Sequence, residues 1–134
     1  MTVPRAVRPD LVEKELTGEI IAAFFYVYNR LGFGNIEANH CRALEVVLER
    51  RGLRVEREYP ATVFFEGEPV GLHRIDMLVE RKVVVEVKST ELLPPFARRQ
   101  LRNYLCALRL RVGLLLHFGP SPKVYRMFHD PHVR

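Results

Sequence analysis

A chain of 134 residues, 48% hydrophobic and 28% charged, has the length and make-up of one water-soluble globular unit with a real core. No apolar run reaches the roughly 18 residues of a membrane span, and the opening Met-Thr-Val-Pro-Arg lacks a signal-peptide pattern, so a cytoplasmic protein is expected. The net charge of +5 is uneven: residues 92–134 carry a net of +7 and residues 1–91 a net of −2, which suits a polyanion-binding face and equally a solvated arginine-rich surface.

Residues 1–9, with two prolines and two arginines, read as an irregular arm. Asp10 is placed to cap a helix running to about Leu31, with Glu13 as its capping-box partner. Ile20, Ala23, Phe24, Val27 and Leu31 recur at helical spacing and form the buried stripe, and Gly18 inside that pattern marks close packing. Gly32-Phe33-Gly34 stops this helix. A second begins near Asn35–Glu37 and runs to about Arg51, with Leu44, Val47 and Leu48 inward and Gly52 as its stop. Cys41 and Cys106 lie in helical segments without metal-ligand spacing and read as buried or half-buried free thiols.

From Leu53 the period changes to that of strands. Residues 54–65 and 70–79 form a hairpin about Glu66-Gly67-Glu68-Pro69, and residues 82–88 a third strand. Leu93-Pro94-Pro95 breaks the chain before a helix over 96–109; strands at 112–118 and 123–128 follow, the last an edge strand. The order ααβββαββ predicts an α/β fold, a three-layer-like sandwich with a central mixed sheet flanked by helices. The domain is expected to span 10–128, with 129–134 a frayed tail.

The chemistry is concentrated in Arg74–Lys88. If Val79 pairs with Val83 across Glu80-Arg81-Lys82, Asp76 falls opposite Glu86. Ile75, Met77, Val79, Val83, Val85 and Val87 then share an apolar face; Asp76, Glu86 and Lys88 share the other, beside Leu78 and Val84. Two like charges at adjacent sheet positions repel unless a cation lies between them, and two carboxylates with room for water and phosphate suit Mg²⁺. Lys88 is placed to orient or deprotonate a water, or to stabilise charge on a phosphate. On the following helix Gln100 and Tyr104 project together, with Arg98, Arg99 and Arg102 nearby, a set fitted to nucleic-acid phosphates. A polar outer helix face and a surface Glu-x-Lys ion pair are the bland readings of the same residues. His129-Asp-Pro-His132 is assigned no role, and His73 is read as a satisfied structural histidine.

Asp76, nine intervening residues and Glu86-Val87-Lys88 resemble the PD-(D/E)xK nuclease signature, and Gln100-x-x-x-Tyr104 resembles the QxxxY motif of its RecB-like branch. From about Leu16 to Phe118 the chain looks most like the small GxxExxY proteins of that superfamily, through Leu31-Gly32-Phe33-Gly34, Glu37 and Arg74–Asp76. The resemblance implies a restriction-endonuclease-like core and a metal-dependent nuclease. Asp76 and Glu86 would be Mg²⁺ ligands (Mn²⁺ substituting), with the Val87 carbonyl as a third and Glu37 reaching the metal directly or through water. Lys88 would be the catalytic lysine, Gln100 and Tyr104 would position the strand, and Arg98, Arg99 and Arg102 would bind nucleic acid, DNA before RNA. Two departures stand out: His40 replaces the family tyrosine, and Ile75 replaces the signature proline. The rival expectation is a nuclease-fold module that binds nucleic acid or a protein partner without cutting, and the apolar first helix and sheet edges make a homodimer a further option.

Overall fold

The computed structural model describes residues 8–132. Its elements are helices α1 (Lys14–Leu31), α2 (Glu37–Arg50) and α3 (Ala97–Leu108), and strands β1 (Val55–Phe65), β2 (Glu68–Val79), β3 (Val83–Lys88), β4 (Val112–Phe118) and β5 (Pro122–Phe128). The chain order is the expected ααβββαββ, and the strands form one mixed sheet in the order β1-β2-β3-β4-β5. Neighbouring strands are antiparallel except β3 and β4, whose parallel pairing requires the crossover that α3 supplies. Most of the arm expected over residues 1–9 and the last two residues of the tail lie outside the described residues.

The helices divide between the two faces of the sheet. Ile20, Phe24 and Val27 of α1 and Cys41, Leu44 and Leu48 of α2 pack on Met77, Val79, Val83, Val85, Val87, Leu114 and Leu116. On the other face Ala97, Leu101, Tyr104 and Leu105 of α3 cover Leu78, Val84 and Leu115. β4 is buried throughout and β3 up to Lys88, which is why both read as nearly continuous Val/Leu runs. Each such side chain contributes on the order of 1.5–3 kcal/mol on burial. Gly113 lets α3 sit down on β4, because a Cβ there would lie 2.7 Å from Leu101 Cδ1.

Several expectations are corrected. Helix α1 starts at Lys14, not just after Asp10, and Glu13 is its left-handed N-cap without a side-chain cap bond. The cause is remote: Arg126 of β5 donates to the carbonyls of Pro9 and Val12 and to Thr17 Oγ1, holding residues 8–13 as a turn. Asp10 instead pairs with Arg8 at 3.5 Å. Leu31 is 41% exposed, outside the inner stripe, and nothing lies within 4 Å of a Cβ built on Gly18, so no close packing explains it. Cys106 is exposed, whereas Cys41 is buried, its thiol pushed up to about 12 first by burial. The segment expected to fray is tied at His129, whose N–H donates to the Arg111 carbonyl.

Other signals read as expected. Gly52 follows α2 at φ +84°, with the Leu53 N–H on the Leu48 carbonyl and the Gly52 N–H on the Glu49 carbonyl, the double bond pattern that a left-handed glycine permits. The first hairpin lies where expected but its turn is shorter: it closes on Glu66 and Gly67 alone, both at positive φ, and Glu68 and Pro69, expected in the turn, belong to β2.

Candidate functional site

The hairpin of β2 and β3 has the expected register: Val79 faces Val83, Leu78 faces Val84 and Met77 faces Val85. There the regular ladder stops. Beyond it the two strands are joined through side chains: the Asp76 N–H donates to Glu86 Oε1 at 2.8 Å, and the Val87 N–H donates to Asp76 Oδ2 at 2.7 Å. Each carboxyl thus replaces a missing ladder bond of the opposite strand. Backbone N–H and C=O of one strand residue point to the same side, so the Val87 carbonyl also faces this opening.

The neighbouring strand is irregular at the same level. Glu58 of β1 sits at φ +49° opposite Asp76, and regular pairing skips this pair between Arg57↔Met77 and Tyr59↔Ile75. The alternation of β2 slips here. Met77 faces the α1/α2 side, but Ile75 packs with Leu78 and Val84 on the α3 side, against the expectation that Ile75 and Met77 share a face. His73 follows the slip; it is exposed, its ring 5.7 Å from that of Tyr104, not a buried structural histidine.

Burial dominates the electrostatics. Glu86 is 6% exposed, and burial followed by the Asp76 charge raises its carboxyl to about 8. Asp76 is raised as well, by burial, against the Val87 N–H and the charges of Lys88 and Arg57. The pair therefore holds a shared proton near neutrality when no cation is present. Glu37 lies at the first turn of α2, and its carboxyl is raised by burial and then by the Asp76 charge. Lys88 acts on all three acids from the end of β3, lowering each. Among the described residues no three His, Cys, Asp or Glu side chains converge as a ready metal cage.

Around this centre stand His40, noted in the sequence as a departure, and two residues that the sequence did not single out, Arg57 and His117. Arg57 Nε donates to the Asp76 carbonyl at 3.1 Å, and only the β1–β2 register could have revealed it. His40 is fully buried and stacked on Phe118, ring centroids 3.9 Å apart. Its Nε2 donates to the Gly32 carbonyl at 3.0 Å, leaving Nδ1 to accept from Ser89 Oγ at 2.6 Å, so it fastens the α1–α2 turn to the residue after Lys88. Burial depresses its basicity. His117, in register with Lys88 on β4, bonds the Thr90 carbonyl through Nε2 at 2.8 Å and steadies the same segment.

Helix α3 supplies the far side. Tyr104 is buried beside Gln100, one turn back on the helix, and its phenol is pushed up to about 12 by burial and then by the charges of Glu86 and Asp76. The arginines diverge: Arg99 lines a groove with Gln100 and Tyr104, Arg98 lies over the Tyr125 ring of β5 at 4.1 Å, and Arg102 is exposed.

The crystal structure of SSO0001 is similar, with a TM-score of 0.57 at 19% sequence identity, over 92% of this chain and 62% of that one. The chain thus spans less than two thirds of that protein, and the likeness speaks for the fold. No curated protein matches the chain. The family model described as the PD-(D/E)XK nuclease superfamily matches residues 14–127, which takes in Glu37, Asp76, Glu86, Lys88, Gln100 and Tyr104, and the chain belongs to that superfamily.

Proposed function

We propose that the domain, residues 10–128, is a divalent-metal-dependent nuclease of the GxxExxY type and RecB-like branch, acting on nucleic acid in the cytoplasm. One observation carries the reading: the buried Glu86 carboxyl and the half-buried Asp76 carboxyl meet across an opening in the sheet, with Lys88 at the end of the same strand. Buried acids held so close are costly unless a cation or a proton satisfies them. Oxygen donors from Asp76, Glu86 and the Val87 carbonyl, with Glu37 directly or through water, form a hard set suited to Mg²⁺, with Mn²⁺ able to replace it. Such a cation, when bound, supplies positive charge against the phosphate and acidifies a nearby water.

The chain's own groups do the rest. The Lys88 ammonium orients the attacking water and offsets charge building on the phosphate. The Tyr104 phenol and the Gln100 amide donate to phosphate oxygens and fix the strand. Arg57 holds the Asp76 backbone from the outer strand, so the carboxylate does not drift. Incubation with DNA and RNA in Mg²⁺ or Mn²⁺ tests the reading. Cleavage should appear with metal, stop with chelator, and fall at least about 100-fold in Lys88→Ala; cleavage that survives Asp76→Ala removes it.

A second reading, a nucleic-acid-binding module that does not cut, draws on the lack of a third converging metal-ligand side chain among the described residues. It predicts salt-dependent binding indifferent to Mg²⁺ and unchanged in Lys88→Ala.

A further inference from the structure

A groove of about 750 Å³ runs between the outer part of the β1–β2 hairpin and α3. Thr62, Val63, Phe64 and His73 form the strand wall; Phe96, Arg99, Asn103 and Arg109 stand on the helix side. Gln100 and Tyr104 also line it, and Tyr104 packs against Leu78 and Val84 of the two strands that carry Asp76 and Glu86, so one wall of the groove adjoins the carboxyl pair. Phe64 and Phe96 are 64% and 60% exposed, an expensive placement for two aromatic rings that flank one cleft. Among the described residues lining the groove there are two guanidinium groups and no carboxylate.

We infer that this groove takes an unpaired nucleic-acid strand, its bases stacking on Phe64 and Phe96 and its phosphates meeting Arg99 and Arg109. The inference rests on the nuclease reading only for the direction in which the strand is led. Stacking on aromatic rings needs a base with a free π-face, which an intact duplex hides and an unpaired strand offers. Fixed positive charge along the same cleft tracks the backbone of such a strand. The rival occupant is a second copy of this chain seated through the exposed phenylalanines. A two-fold contact across the groove would set like guanidinium charges together, whereas a polyanion neutralises them. The occupant that fits both the rings and the charges is the single strand.

Fluorescence anisotropy with a labelled dT 12-mer and a 12-base-pair duplex, in chelator so that nothing is cut, tests it. The single strand should bind more tightly than the duplex. Phe64→Ala and Phe96→Ala should each weaken the single strand roughly tenfold and leave the duplex unchanged. Arg99→Ala should lower the slope of log affinity against log salt by about 0.7. Both phenylalanines are surface residues, so folding survives these changes, and circular dichroism checks it. Equal or tighter duplex binding, variants that leave single-strand affinity unchanged, or a dimer in light scattering that Phe96→Ala disperses would each overturn the inference. The two readings separate cleanly. Metal-dependent cleavage with groove variants that bind normally leaves the nuclease and removes the groove; groove-dependent binding without cleavage does the reverse.

Discussion

At the level of single residues, the carboxyl pair decides how stability responds to pH. The folded-state pKa of Glu86 is raised from 4.5 to about 8, so the folded protein holds a proton that the unfolded chain has released. That contribution is complete below about pH 4.5 and is lost as pH rises through 8. His40 has the opposite sign: its pKa is lowered from 6.5, so its contribution is present above 6.5 and is lost as pH falls below it. Between pH 6.5 and 8 the Glu86 contribution declines while that of His40 is already complete. In chelator the melting temperature should therefore fall across that window, Mg²⁺ or Mn²⁺ should restore it by binding the folded state, and Glu86→Gln should flatten it. A profile that ignores both metal and substitution would count against a cation site. His40→Phe keeps the stack on Phe118 but strands the Gly32 carbonyl and the Ser89 hydroxyl, costing about 2 kcal/mol in denaturant unfolding. The same change frees the residue next to Lys88, so metal-dependent cleavage should drop by more than the folded fraction does.

Among the elements, two glycines with opposite surroundings give a paired test. Gly18 is exposed inside α1 with open space around it, so Gly18→Ala should stabilise by about 0.5–1 kcal/mol through helix propensity. Gly113→Ala puts a methyl against Leu101 at the α3–β4 seat and should cost about 1–3 kcal/mol. Chemical denaturation of both reads the signs directly. The elements also show what a sequence can and cannot disclose. Strand β4 and the Val79–Val83 pairing were legible because a buried run and a three-residue turn are local signals. The opposition of Asp76 and Glu86 followed from that turn alone. The face of Ile75 was not legible, because the strand alternation breaks at Asp76, beside the left-handed Glu58 of a different strand, and no local signal marks that break. Nor could helical spacing show that Arg98 turns to Tyr125 while Arg99 turns to the groove, since each choice is made by what lies across from α3.

Across the whole molecule, the charge asymmetry seen in the sequence is only partly a surface property. Arg126, one of the basic residues of the second half, is spent internally on the Pro9 and Val12 carbonyls and on Thr17. Replacing it by Met keeps the bulk and removes the donors; hydrogen exchange should speed up in residues 11–17 while Asp76 and Glu86 keep their protection, and the loss should be about 1–3 kcal/mol. Unchanged exchange there would mean that the turn before α1 holds itself. This clamp joins residues 114 positions apart, so its consequence reaches into biosynthesis. A nascent chain emerges from the ribosome first end first, and α1 is exposed long before β5 exists. Until then the turn ahead of α1 has no guanidinium to hold it, and the apolar stripe of Ile20, Phe24 and Val27 has no Leu116 or Phe118 to rest on. Helix α1 is made before these partners and secured only after them, which gives a chaperone reason to cover this stretch of the nascent chain.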